Sequence, residues 1–129
     1  MSKRINYTSG AKWEDLVGYS RAVQVGNIIE IAGTTAVRDG VVVHKNDPYN
    51  QAKTIIEIAS ETLTKAGASL NDVIRTRMFI TNIRDWEEIA KAHGEFFKDI
   101  KPATTLVEVS GFVDPDMLVE IEFSVYLAD

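Results

Sequence analysis

The side chains of this 129-residue chain with most to offer chemically lie on two stretches that alternate in polarity. Along residues 118 to 127, Val119, Ile121, Phe123 and Val125 alternate with Glu120, Glu122, Ser124 and Tyr126, so a strand here turns both carboxylates away from its apolar side. Residues 73 to 81 set Ile74, Thr76, Met78 and Ile80 against Arg75, Arg77, Phe79 and Thr81 in the same way. Guanidinium and carboxylate groups that share a sheet face have two uses. They pair as structural ions, or the cation holds an anion while the carboxylate manages a proton or a water. Arg21, on an earlier β-favouring run, is open to either use.

Other reactive residue types offer less. His93 lies four residues after Ile89 and four before Phe97, on the apolar stripe of a helical segment, where a ring is more often a satisfied core residue than a base. His44, between Val43 and Lys45, reads as a loop residue, and neither histidine has the partner spacing of a metal site, so no metal is expected. The absence of cysteine excludes disulfides, thiolate nucleophiles and sulfur-ligated metals. Ser110-Gly111 reads as a turn with no histidine placed to activate it. No glycine-rich dinucleotide or P-loop motif occurs, so no cofactor of those kinds is expected.

These groups must be held by elements that the pattern delimits. Residues 20 to 25 and 28 to 32 are strands joined by Gly26-Asn27, a two-residue hairpin turn, and Asp39-Gly40 introduces a short third strand over 41 to 43. Asp47-Pro48 caps and opens a helix whose Ala52, Ile55, Ile56, Ala59, Leu63 and Ala66 recur on one face, with Gly67 at its end. A strand over 73 to 81 precedes a second helix over 86 to 98, with Asp85 as its cap and Trp86, Ile89, Ala90, His93 and Phe97 on one side. Two strands, 104 to 109 and 118 to 127, complete the order β-β-β-α-β-α-β-β. This order predicts an α+β two-layer sandwich: a six-stranded mixed sheet with two helices on one face.

A chain of this length supports one core, and 45% hydrophobic with 26% charged residues is ordinary for a globular domain. The net charge of −5 argues against a nucleic-acid partner, which would need a basic surface. No apolar run approaches the roughly 18 residues of a membrane span, and no secretory pattern opens the chain. A cytoplasmic protein without a membrane partner is the expectation.

Several short stretches carry a resemblance when taken in order: Gly18-Tyr19-Ser20 with Ala22-Val23, Val25-Gly26-Asn27 leading to Ala32-Gly33, Asp47-Pro48 with Gln51-Ala52, and Ala66-Gly67-Ala68-Ser69-Leu70-Asn71-Asp72-Val73. They continue through Asp85-Trp86, Phe96-Phe97, Pro102-Ala103, Val107-Glu108-Val109 and Val119-Glu120-Ile121-Glu122. Along nearly its whole length, as a single domain over 1–129, the chain resembles the Rid proteins (reactive intermediate deaminase, or YjgF, family). The resemblance implies a chorismate mutase-like fold and a homotrimer whose sheets line a central barrel, with ligand clefts between subunits. It also implies hydrolysis of 2-imino or enamine acids to 2-keto acids and ammonia, with no metal or organic cofactor.

Active deaminases of that family hold the substrate carboxylate with an arginine directly after the Pro-Ala pair, but here Pro102-Ala103 is followed by Thr104-Thr105. A guanidinium gives two charge-assisted hydrogen bonds, and a threonine hydroxyl gives one neutral bond. Ala90 likewise stands where the deaminases carry a site asparagine. Tyr19, the Gly33 backbone with Thr34 beside it, and Glu120, which would orient a water, match the resemblance. The reading is a trimer that binds a small anionic metabolite, with Glu120 catalytic and Tyr19, Arg21, Gly33, Thr34, Arg77 and Thr104 contacting the ligand. One alternative keeps imine deamination, with Arg77, or failing it Arg21, as substitute clamp. Another is a ligand-binding or protein-interacting trimer without chemistry.

Overall fold

A computed structural model describes residues 3–128. The sheet is built from β1 (Arg4–Tyr7), β2 (Ala22–Val25), β3 (Ile28–Thr34), β6 (Val73–Ile80), β7 (Ala103–Glu108) and β8 (Val119–Tyr126), in the order β1-β2-β3-β8-β6-β7. Only β6 and β7 run parallel, so the sheet is mixed. Helices α2 (Pro48–Lys65) and α3 (Trp86–Phe97) pack on one face, joined by a core of Ile29, Ile55, Ile56, Leu63, Ile80, Ile89, Phe97, Ile121 and Phe123. This is the α+β architecture expected.

The local signals act as their chemistry requires. Gly26 takes φ +58° in the β2–β3 hairpin, and Asp47 accepts the Asn50 amide at 3.0 Å to cap α2 at Pro48. Three expectations need correction. The strand foreseen over 41 to 43 does not join the sheet: β5 (Val41–Val42) pairs only with β4 (Val37–Arg38) in a separate ribbon. Its place as sixth strand is taken by β1, which is followed by a short helix α1 (Lys12–Val17); both are mostly exposed and so lack the apolar period that marks a buried element. Asp85 makes no capping hydrogen bond, because a single 3₁₀ turn over Ile83–Asp85 feeds directly into α3 and Asn82 caps that turn by accepting the Arg84 amide at 3.0 Å. Within β6 the pairing shifts between Val73 and Arg75, so Val73 is buried and Ile74 exposed, against the simple alternation.

Gln51 holds the layers in place. Its amide nitrogen donates to the carbonyls of Val43, His44 and Asp116, and its oxygen accepts the Leu118 amide at 2.9 Å, all from a fully buried side chain. It thereby ties the first turn of α2 to the segment that enters β8. Removing it leaves backbone groups buried without partners, at about 1 to 3 kcal/mol for each group left unsatisfied. We expect Gln51→Leu, close in size, to lower unfolding free energy by at least about 3 kcal/mol in urea titrations; a loss below about 1 kcal/mol would show that the backbone finds other partners.

Candidate functional site

The site begins with a break in register. Ile31 pairs with Phe123 and Thr34 with Ile121, so β3 spends one residue more than β8 between these pairs, a β-bulge at Ala32 and Gly33. The bulge turns Gly33 toward Glu120. A Cβ on Gly33 would stand 2.7 Å from Glu120 Oε1, so glycine here leaves room for the Glu120 side chain and is not needed for its dihedral angles.

Arg21 reaches the same point. Its backbone is held on both sides, the amide donating to the Tyr7 carbonyl at 2.8 Å and the carbonyl accepting from Ala32 at 2.9 Å. Arg21 Nη2 donates to the Gly33 carbonyl at 2.6 Å, the guanidinium stands 5.8 Å from the Tyr19 ring centroid, and Nε is enclosed without a hydrogen-bond partner. The structure thus gathers Tyr19, Arg21, Gly33 and Glu120 into one group.

Its electrostatics make the Glu120 carboxyl harder to ionise than usual. Burial pushes the Glu120 carboxyl above its ordinary range, the charge of Glu122 pushes the same way, and Arg21 pulls back in part. Glu14 on α1, which sequence reasoning did not single out, behaves oppositely. Burial would raise it, but the hydroxyls of Ser9 and Thr8, the Ser9 amide and the charge of Arg21 together hold it below its ordinary range. The hydroxyl pair Thr8-Ser9 just ahead of an acidic helix start was the available signal. An open depression of about 670 Å³ adjoins the group, with Asn6, Glu14, Tyr19, Glu30, Ala32 and Glu122 among its walls.

The remaining sequence candidates lie apart. Arg77 shares the open sheet face, but its register partner is Glu122, at 3.9 Å, and Glu120 stands opposite Phe79 two pairs further on. Both side chains of that ion pair are about two-fifths exposed, so the pair adds little. Between the two arginines, therefore, Arg21 and not Arg77 is the cation that meets Glu120. Thr34 is buried, paired with Ile121, and its hydroxyl is used by the Ala32 carbonyl at 2.8 Å, so it turns away from the group. Thr104 opens the edge strand β7, exposed, with its hydroxyl 2.8 Å from that of buried Thr76, which in turn lies 2.9 Å from His93 Nε2. Thr76 belongs to the helix side of the sheet and Glu120 to the other, so one chain presents Thr104 and Glu120 on opposite faces.

Because Glu120 titrates high in the folded chain, its ionisation opposes folding. The effect is absent below the ordinary value of 4.5 and grows as pH rises through the higher folded value. Glu120→Gln should remove that fall in stability, and Arg21→Met should raise the Glu120 titration further, as read by carboxyl-carbon NMR. Unchanged titration in Arg21→Met would mean that the two groups do not interact. Gly33→Ala should displace the flexible Glu120 side chain at a stability cost below about 1 kcal/mol while shifting the same carboxyl resonance.

The family model described as endoribonuclease L-PSP matches residues 10–127. A solved structure from Mycobacterium tuberculosis, a member of the YjgF family, superposes with a TM-score of 0.88 at 38% identity, covering 97% of this chain and 100% of that one. A Yersinia pestis structure of the Rid protein family gives a TM-score of 0.84 at 26% identity, with 97% and 100% covered. The 3-aminoacrylate deaminase RutC of Acinetobacter baylyi is 33% identical over 107 residues, 82% of this chain and 84% of that protein.

Proposed function

The chain belongs to the endoribonuclease L-PSP family, that of the YjgF and Rid proteins, and from that premise we propose that it forms a homotrimer binding a small anionic metabolite in clefts between subunits. The close approach of Arg21, Gly33 and Glu120 carries this reading: a guanidinium that donates to the Gly33 carbonyl lies beside a carboxyl that burial makes harder to ionise. An anion entering there meets a cation, and its charge drives the neighbouring Glu120 carboxyl further toward the protonated form that can donate to it. Since Thr104 and Glu120 lie on opposite faces of one sheet, a cleft using both needs two subunits. The open sheet face, which mixes Arg75, Arg77, Phe79, Glu120, Glu122 and Tyr126, suits burial against other copies. The charge of −5 favours a small ligand over nucleic acid, and among the described residues no helix is long and apolar enough to cross a membrane. We place its work in the cytoplasm.

Imine hydrolysis is the second reading, favoured by the likeness to an aminoacrylate deaminase. In that reaction water adds to the carbon of the C=N bond, Glu120 accepts the water's proton and returns one to the nitrogen, and collapse to the keto acid releases ammonia. Arg21 would hold the substrate carboxylate. The arginine that the resemblance places at position 104 is absent, which should cost about 2 to 4 kcal/mol of transition-state binding, or about 30- to 1000-fold in rate, unless Arg21 takes over the contact.

We expect sedimentation equilibrium to give a trimer at micromolar concentration; a monomer would overturn the cleft. With imines generated in place by an amino acid oxidase, the native chain should release keto acid no faster than a control without it. Thr104→Arg should raise the rate, and Glu120→Ala should remove the gain. A native rate equal to that of an arginine-bearing relative, abolished by Arg21→Ala, would make hydrolysis the primary function.

A further inference from the structure

Each hydroxyl carries one proton, and that count fixes the direction of a hydrogen-bond chain running from α3 to the surface. Thr104 Oγ1 donates to the Pro102 carbonyl at 3.0 Å. With its proton used, Thr104 can only accept from Thr76 Oγ1, 2.8 Å away. Thr76 has then used its own proton and can only accept from His93 Nε2, at 2.9 Å. The His93 ring therefore carries its proton on Nε2. Thr76 is fully buried and the Phe97 ring lies 4.6 Å from that of His93, so the inner pair is locked in place. Burial holds the His93 ring below its ordinary range, which keeps it neutral near pH 7.

We propose that His93 and Thr76 are positioning residues that aim the Thr104 hydroxyl at an uncharged ligand oxygen, a carbonyl or a carboxamide, at the end of the cleft away from Arg21. The inference rests on the reading that Thr104 of one subunit faces that cleft, and it deepens that reading by naming the chemistry preferred there. One bond rotation lets the Thr104 hydroxyl exchange the Pro102 carbonyl for a ligand oxygen, and the rest of the chain stays as it is. Donors aligned in one direction polarise each other toward the ligand but bring no net charge. A carboxylate pressed against this hydroxyl would lose its hydration with no charge from Thr104, Thr76 or the neutral His93 ring in return, a penalty that a neutral oxygen escapes. Ala90, one turn before His93 on α3, adds neither charge nor side-chain hydrogen bond to offset it. The ligand's charge thus belongs at the Arg21 end and its neutral oxygen at the Thr104 end.

The test uses the full chain with malonate and malonamate, which both offer a carboxylate to Arg21 and differ at the other end in bearing a second carboxylate or a carboxamide. Histidine ring ¹⁵N spectra at neutral pH should show His93 protonated on Nε2. Malonamate should bind about tenfold more tightly than malonate, a difference of one well-made contact. Thr76→Ser, which keeps the hydroxyl, should preserve that preference; Thr76→Val, equal in size, should reduce it to about twofold or less; and Thr104→Arg should reverse it. A ring protonated on Nδ1, equal affinity for the two probes, or an undiminished preference in Thr76→Val overturns the proposal while probe binding keeps the cleft reading standing. If neither probe shifts a resonance of Thr104 or Glu120, the cleft reading itself falls and the proposal falls with it.

Discussion

The two-residue pleat of β8 is the constraint on which the rest depends. This strand lies between β3 and β6, and its Val119, Ile121, Phe123 and Val125 are all but fully buried beneath the helices. Four apolar side chains fixed on one face oblige Glu120, Glu122, Ser124 and Tyr126 onto the other, and a slip of one residue would bury two carboxylates in the core. The position of Glu120 is thus enforced by packing worth far more than any interaction the carboxyl makes for itself. This allows the chain to keep a carboxyl that is costly to ionise: four neighbours along the strand hold it there.

How far the fold was legible follows from the same physics. Where burial imposes a period, as along α2 and β8, or a turn demands positive φ, as at Gly26 and Asp39-Gly40, the residues announce the structure. Both the first strand and α1 are mostly exposed and bury little apolar surface, with Leu16 and Val17 largely exposed, so no apolar period separates them from loop. The β4–β5 ribbon shows the converse. Its turn was readable, but two residues a side cannot tell which sheet a strand will join.

The site was legible by face and not by neighbour. Alternation correctly put Arg77 and Glu120 on one side of the sheet, yet which residue stands opposite which depends on register, and register gave Arg77 to Glu122. The meeting of Arg21 with Glu120 depends on the bulge at Ala32 and Gly33, an extra residue that leaves no mark on a period-two pattern unless the glycine itself is taken as the mark. The same bulge turned Thr34 inward. Glu14 escaped notice because a buried acid is recognisable only through its partners, and those, Thr8, Ser9 and Arg21, converge on it from separate elements.

Arg21 stands between two carboxyls of opposite character, and this links ligand and proton. Glu14 is held ionised by hydroxyl and amide donors besides Arg21, so it needs that cation least; Glu120 has only Arg21 to offset burial and the charge of Glu122. An anion that pairs with Arg21 takes up part of the field that lowers the Glu120 titration and adds its own negative charge nearby. Both effects drive Glu120 further toward the protonated form, so anion binding and proton retention reinforce each other. By reciprocity, raising the pH until Glu120 ionises must weaken the anion's hold by the same factor. A carboxyl shifted toward its protonated form by the arriving ligand gives up a proton to a nitrogen or oxygen less readily than a free one but holds a proton taken from water more firmly, so the ligand's charge favours the water-activating half of an imine hydrolysis.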